Sequence, residues 1–122
     1  MPARLRQVDL TTRLPAALEV SGLTRQVSAA GGFAMVVAKG EPDSGSILVV
    51  IMENGSNSRA YERMPQADGS RAWHPAKRED RLDAQAFTDY LTRRRIQDPD
   101  LWIIELDVPQ GERFIGLTPP VD

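Results

Sequence analysis

A short, wholly apolar run followed by a hairpin signal constrains the fold of this chain more than any other feature. Ile47–Met52 is apolar at every position, so a strand formed here must be buried on both faces. Asn54-Gly55 follows almost directly, and this dipeptide is the strongest short signal for a two-residue β-hairpin turn. The sequence therefore predicts a central strand over 46–53 that turns back into a neighbouring strand over 59–64.

Three further segments have the composition of strands. Phe33–Lys39 is rich in β-branched and apolar residues between glycines, and Leu101–Val108 has a similar composition. A short edge strand is expected over 70–74, because Pro75 removes a backbone donor and should end it. Gly40–Gly45 combines glycine, proline and aspartate, which is typical of a turn.

The first predicted helix precedes the strands. Pro15 suits the first turn of a helix, where its missing N–H has no cost. Apolar residues then recur at helical spacing as far as Ala30, and Gly31-Gly32 can form the C-cap. Residues 17–23 also alternate between apolar and polar, so a short strand that leads into a shorter helix is the alternative there.

The second predicted helix precedes the last strand. Asp80 or Asp83 can cap its start, and Arg93–Arg95 stand in its last turn, where positive charge suits the helix dipole. Asp98-Pro99-Asp100 then breaks the chain. Side chains three and four residues apart give this helix one apolar face, which consists of Leu82, Ala86, Phe87, Tyr90 and Leu91.

These elements predict an α+β fold. The sheet is antiparallel with about five strands, a β-meander plus a C-terminal strand, and two helices pack on it. We expect an N-terminal arm over 1–13, a single α+β domain over 14–108, and a loosely docked tail over 109–122 that contains proline and glycine.

The residue types that are missing exclude several kinds of chemistry. The chain has no cysteine, hence no disulfide, thiolate metal site or catalytic thiol, and His74 is its single histidine. We therefore expect no metal site and no cofactor. The net charge of −2, from 15 basic and 17 acidic side chains, argues against a dedicated nucleic-acid binder.

Hydropathy gives an expectation for location. No apolar run approaches the ~20 residues that cross a bilayer. The N-terminal segment also lacks the apolar core of a secretory signal. The sequence predicts a cytoplasmic protein that does not associate with a membrane.

Three segments carry a resemblance to a known family. They are Arg25–Ala34, Lys39–Leu48 with its Lys-Gly and Asp-Ser-Gly elements, and Asp98–Trp102. Over residues 14–107 the chain resembles a small family of alphaproteobacterial cytosolic proteins catalogued as a domain of unknown function. Glu41 stands where that family is expected to have aspartate. The resemblance implies a shared fold and brings no activity with it.

Four residues are candidates for binding a ligand. Arg25 near the end of the first helix can either cap the last carbonyls or bind an anion. Lys39 and Asp43 flank a tight turn, which is either a solvated turn or a small polar site. His74 can act as a general base if a carboxylate orients it, although it looks like the exposed end of an edge strand. The structural interpretation is favoured for each.

Four other residues are candidates for protein contact. Trp73 and Trp102 are the two tryptophans, and an exposed tryptophan is typical of a binding hot spot. Tyr61 on the third strand can extend such a surface. Arg94 lies in the arginine run, which is explained either by helix-end charge compensation or by binding of phosphate, RNA or an acidic partner.

The sequence favours a small non-catalytic binding or protein-interaction module, because the familiar catalytic constellations are missing. Its partner would be an unknown protein or a second copy that pairs through a sheet edge. The alternative is an enzyme or ligand-binding protein for a small anionic or phosphorylated substrate, which would require Arg25, Lys39, Asp43 and His74 to converge.

Overall fold

The computed structural model describes residues 14–65 and 67–118. The predicted arm over 1–13 and the end of the predicted tail, residues 119–122, lie outside the described residues. In chain order, the elements are α1 (Ala16–Ala29), β1 (Phe33–Ala38), β2 (Ile47–Glu53), β3 (Ser56–Pro65), β4 (Arg71–Arg78), α2 (Ala84–Gln97), β5 (Trp102–Asp107) and a 3-10 helix (Gly111–Ile115).

The five strands form one sheet in the order β1-β5-β2-β3-β4. β2, β3 and β4 form the predicted antiparallel meander, and β1 pairs antiparallel with β5. β5 inserts between β1 and β2 and runs parallel to β2, because the chain crosses back through α2 before it re-enters the sheet. The predicted α+β fold is confirmed, with one parallel pair in a sheet that is otherwise antiparallel.

The two helices pack on opposite faces of this sheet. α1 and the 3-10 helix cover one face, on which Val20, Ile104 and Ile115 belong to the same apolar cluster. α2 covers the other face, on which Phe87 packs with Leu48 and Ile103. β2 and β5 contribute to both clusters and are buried on both sides, as the apolar run at 47–52 predicts.

The predicted hairpin between β2 and β3 is confirmed. Asn54 and Gly55 both have positive φ, 53° and 74°, which is the requirement of a type I′ turn. The carboxylate of Asp107 accepts hydrogen bonds from the backbone N–H groups of Asn54 (2.8 Å) and Gly55 (2.9 Å). The end of β5 therefore holds the turn in place.

The alternative of a short strand over 17–23 is wrong, because α1 is continuous from Ala16. The backbone N–H of Ala16 donates to the carbonyl oxygen of Asp43 at 3.0 Å, so the turn after β1 satisfies an orphan donor of the helix. α1 ends before Gly31, whose φ of 86° suits the predicted C-cap.

Two boundaries differ from the predictions. β4 does not end at Pro75 but continues through it to Arg78, because a register irregularity opposite Ala60 and Tyr61 accommodates the proline on an edge strand. Leu82 does not join the apolar face of α2: the helix begins after the N-cap Asp83, and Leu82 is 95% exposed.

Candidate functional site

Among the strands of the described residues, β1 forms one edge of the sheet and pairs only with β5. Its side chains are unusually exposed for apolar groups: Phe33 is 78% exposed and Met35 57% exposed. Neither proline nor a charged residue occurs within Phe33–Ala38. Such an edge presents unpaired backbone donors and acceptors beside apolar side chains, which favours the addition of another strand.

The opposite edge, β4, carries the features that natural sheets use to block strand addition. Pro75 interrupts its row of donors, and the register irregularity beside it distorts the strand. Arg71 stands at one end, and Lys77 and Arg78 at the other, so charged side chains flank the edge. The two edges of one sheet therefore differ strongly in their readiness to pair.

The exposed residues of β1 lie on the face that α2 covers only in part. Phe33 is paired in register with Asp107, and Met35 with Glu105, so each pair shares one face. Glu105 stands two residues after Ile103, which contacts the α2 side of the core, and residues two apart in a strand share a face. α2 leaves Phe33 and Met35 uncovered on that face.

A cavity of about 380 Å³ lies where β1 ends, between that strand and α2. Lys39 and Arg95 bring two positive charges to it, beside the hydroxyl-bearing Thr92. Neither cation has a hydrogen-bond or ion-pair partner within the described part of the chain. The remaining lining is apolar and consists of Ala38, Ile96, Pro99 and Leu101.

The turn beside this cavity interlocks with the segment before β5. A Cβ on Gly40 would lie 2.0 Å from the carbonyl oxygen of Asp100, so no side chain fits there. The Glu41 N–H donates to the same oxygen at 3.0 Å, and the Trp102 indole N–H donates to the Glu41 carbonyl at 2.8 Å. Two of the segments that carry the family resemblance, Lys39–Leu48 and Asp98–Trp102, are therefore hydrogen-bonded and closely packed against each other.

An acidic group lies near the other end of β1. Glu105 is half-buried beside Met35 and has no hydrogen-bond or ion-pair partner among the residues that the structure describes. Burial, with a smaller contribution from the nearby Asp107 carboxylate, raises the pKa of Glu105. A partially desolvated carboxylate of this kind gains when a cation approaches it.

The four ligand-binding candidates lie at separate places. Lys39 lines the cavity on the α2 side of the sheet, whereas Asp43 lines a smaller one of about 250 Å³ at the start of α1, with Glu19 and Arg63. Arg25 is exposed on α1 and donates to the Ser21 hydroxyl at 3.3 Å.

His74 is exposed on β4, opposite Glu62. Asp43 also belongs to a self-contained turn, in which one Glu41 oxygen accepts from the N–H groups of Asp43 (2.9 Å) and Ser44 (2.6 Å). Within 14–65 and 67–118, no three of the potential metal-ligating side chains come together.

The interaction candidates are largely internal. Tyr61 and Trp102 are buried in the core on the α1 side, so neither presents a surface to a partner. Trp73 is half-buried under the Arg63 guanidinium, which lies 5.2 Å from the ring centroid. Arg94 forms an ion pair with Glu62 on β3, and this contact accounts for it without an acidic partner.

A buried charged network was missed at the sequence level. Glu112 is 0% exposed, and its carboxylate accepts from the Arg59 Nε (2.5 Å), the Arg59 Nη2 (2.8 Å) and the Tyr61 hydroxyl (2.6 Å). Arg59 also bonds both carboxylate oxygens of Glu53 at 2.8 Å. Residues 109–118 therefore dock firmly, whereas their proline and glycine content indicated a loose tail.

The network shifts the ionisation of its members. Burial raises the pKa of Glu112, but hydrogen bonds from Arg59 and Tyr61 outweigh it and hold the pKa below its ordinary value. Burial and the Glu112 carboxylate raise the pKa of Tyr61 to about 12. Both shifts favour the protonation states that form the network at neutral pH.

The raised pKa of Tyr61 predicts a loss of stability in alkali. The unfolded state ionises near pH 10, so this contribution is complete below that pH and is lost as pH rises towards about 12. Urea unfolding over this pH range should show the decline, and Tyr61→Phe should reduce it without abolishing it, because burial also raises the pKa of Tyr90. In Tyr90→Phe, Tyr61 is the single tyrosine, and its absorbance titration near the ordinary pKa would contradict the prediction.

Comparison with known proteins places this fold in a family. The profile of a family described as proteins of unknown function, DUF1491, matches residues 14–116. This chain belongs to the DUF1491 family. The resemblance seen in the sequence is thereby confirmed, and the match extends through the 3-10 helix that contains Glu112. No curated protein matches the chain.

Solved structures of the DUF1491 family share the fold. A crystal structure of a DUF1491 protein from Caulobacter crescentus CB15 has 30% identity and a TM-score of 0.70, and the match covers 90% of this chain and 100% of that one. An NMR structure from the same organism has 28% identity and a TM-score of 0.71, covering 91% and 98%. The solution structure of Atu0922 from A. tumefaciens, a structural genomics target, has 28% identity and a TM-score of 0.69, covering 91% and 99%.

These relatives indicate no specific function, so the function of this DUF1491 chain has to be argued from its own surface. None of the helices in the described ranges is long and apolar enough to cross a membrane.

Proposed function

We propose that this chain is a non-catalytic protein-interaction module that binds an extended, acid-bearing polypeptide segment by strand addition to β1. The observation that carries the proposal is the exposure of Phe33 and Met35 on a sheet edge without proline or charge. Monomeric domains normally protect such an edge against strand addition with proline, charged residues or a bulge, and β4 of the same sheet is protected in this way. The contrast supports β1 as the edge kept open for a partner.

Backbone pairing would supply much of the affinity of this surface. An added strand satisfies the free row of donors and acceptors on β1, and its alternate side chains cover Phe33 and Met35 on the α2 face. Apolar side chains on the partner would therefore gain most at every second position.

The cavity at the end of β1 supports an acidic group in the partner. Lys39 and Arg95 lie next to the strand and have no partner among residues 14–65 and 67–118, and a carboxylate placed between them would form charge-assisted hydrogen bonds. Both cations are exposed, so the attraction becomes strong once the partner covers them and excludes water. The required segment therefore combines apolar residues with an acidic one.

The alternative, an enzyme or small-anion binder, receives less support. It needs Arg25, Lys39, Asp43 and His74 in one cleft. Lys39 and Asp43 line cavities on opposite faces of the sheet, and His74 lies on the far edge strand. A small anion that binds at Lys39 alone remains a measurable competitor for the same cavity.

We predict that Met35→Lys weakens the binding of extended peptides about tenfold or more, because the added strand would have to desolvate the new ammonium group. The probe is a random peptide library displayed on phage and selected on the full chain. Selected sequences should be enriched in acidic and apolar residues, and their dissociation constants should be compared between the variant and the unmodified chain by fluorescence anisotropy.

Leu82→Lys is the matched control, because Leu82 is also an exposed apolar residue (95%, against 57% for Met35) and lies away from β1. It should leave peptide affinity unchanged. Selected peptides that bind Met35→Lys and the unmodified chain equally well would contradict the proposal, and so would a chain that yields no binder and forms no dimer.

A further inference from the structure

We infer that the partner whose surface fits β1 is a second copy of this chain, which adds its own β1 in the antiparallel direction. This inference rests on the proposed function and names the occupant of the edge. It makes Glu105 and Lys39 the residues that determine the pairing direction. The acidic group comes from Glu105 on β5, next to the added strand, because β1 itself carries no charge.

The first support is the symmetry of the charges along the edge. Glu105 flanks the half of β1 that begins at Phe33, and Lys39 with Arg95 flanks the half that ends at Ala38. In an antiparallel pair about a two-fold axis, the start of one β1 lies beside the end of the other. Glu105 of each copy then approaches Lys39 and Arg95 of the other copy, so the contact is made twice.

The second support is that these charged groups have no competing partner. Lys39, Arg95 and Glu105 have no hydrogen-bond or ion-pair partner within the described residues. A charged side chain that already forms an ion pair within its own chain would have to break that pair before it could bind across an interface. Here the charges can pair without that cost, and the half-buried Glu105 gains a counter-charge.

The third support is the apolar surface between the charged ends. Phe33 and Met35 share the α2 face of the sheet, and a two-fold axis between the two β1 strands, perpendicular to the sheet, brings the equivalent residues of the second copy onto the same face. Each copy therefore covers exposed apolar side chains of the other. Ile96, which is 75% exposed beside the Lys39 cavity, extends this apolar surface.

Antiparallel self-pairing is unfavourable at the other edge of the sheet, β4. Antiparallel self-pairing of β4 would place Arg71 of one copy beside Arg78 of the other at both ends. Like charges in such positions repel, and Pro75 removes a donor in the middle of the strand. Self-pairing is therefore selective for β1.

The test is a charge exchange across the interface. Lys39→Glu places two carboxylates together at each contact, and Glu105→Lys places two ammonium groups together. Each variant alone should raise the dimer dissociation constant about tenfold or more in sedimentation velocity experiments. An equimolar mixture of the two variants should form a heterodimer with affinity within about threefold of the unmodified chain, because both contacts then join opposite charges.

A positional readout uses the unmodified protein. Lys39 and Lys77 are its only lysines, so carbodiimide cross-linking gives a simple map. In a mixture of isotope-labelled and unlabelled chains, the inter-chain product should join Lys39 to Glu105 or Asp107, whereas Lys77 on β4 should give none. Lys77→Glu is the matched control for the charge reversal and should dimerise normally. Thermal melts confirm that each variant is folded.

The outcomes separate this inference from the proposed function. A chain that is monomeric at its highest soluble concentration but binds selected peptides through β1 overturns the second copy and leaves the interaction module standing. A dimer whose variants do not rescue each other, or that cross-links through Lys77, also overturns the inference. A chain with neither dimer nor peptide binding overturns both.

Discussion

Glu112→Leu is expected to lower the free energy of unfolding by about 3–5 kcal/mol, since it removes one of the two carboxylates that neutralise the buried Arg59 guanidinium. Arg59 is 3% exposed, and two of its nitrogens donate to Glu112. The Tyr61 hydroxyl loses its acceptor as well. Urea unfolding monitored by circular dichroism measures the change, which is a large part of the stability of a domain of this size.

A double variant separates the cost of a buried charge that has lost one counter-charge from general loss of packing. Arg59→Met combined with Glu112→Leu removes both charges, so much of the lost stability should return relative to Glu112→Leu alone. Arg93→Met, at an exposed position on α2, is the control for an arginine replacement and should be near neutral. A Glu112→Leu chain as stable as the unmodified one would show that the network adds no stability.

Gly40→Ala is expected to cost about 3 kcal/mol of unfolding free energy, at the upper end of what overpacking normally costs. The added Cβ would meet backbone atoms of Asp100 and Leu101, the nearest at 2.0 Å, and backbone cannot move aside as a flexible side chain does. Because the same turn holds Lys39 beside its cavity, the variant should also lower peptide affinity. Urea unfolding and the anisotropy measurement provide the two readouts.

Gly22→Ala is the matched control for that substitution. Gly22 lies inside α1, and a Cβ added there has no heavy atom within 4 Å. Alanine should therefore raise stability by up to about 1 kcal/mol through its better helix propensity. The same chemical change is thus expected to have opposite signs at the two glycines. Equal effects at both positions would contradict the contact at Asp100.

The elements with local signals were predictable. The apolar run of β2 and the Asn54-Gly55 turn gave a buried central strand and a hairpin, and both are present. α1 was predicted with its C-cap at Gly31, because glycine is the residue that tolerates positive φ there. These features depend on neighbours within a few residues, so the sequence alone contains the information.

The position of β5 was not predictable in the same way. Its composition indicates a strand, but no local pattern says that it enters between β1 and β2 or runs parallel to β2. That choice depends on how α2 crosses the sheet and which free edge has apolar surface to bury. Pairing between distant strands is a property of the whole packed core.

The candidate residues show the same difference between what local sequence signals indicate and what depends on tertiary position. Lys39 was singled out from its place beside a glycine turn, and the structure adds Arg95 from α2 to the same cavity. No local pattern distinguishes Glu105 from other polar positions in a strand. Only its place beside the exposed Met35 makes it a candidate for contact with a partner. Glu112 lies in the segment whose proline and glycine content predicts a loosely docked tail, and no short pattern marks it as buried.

The sequence by itself determined the fold class, the central hairpin, the strand β1 and the lack of cysteine chemistry, because each follows from residue types and short spacings. Only the tertiary structure decided that β1 is an edge strand accessible to strand addition, whereas β4 is an edge strand protected against it. It also decided that the buried Glu112 anchors residues 109–118. The physical reason is that exposure and charge pairing depend on contacts between elements distant in the chain. These contacts exist only after the helices have packed on the sheet.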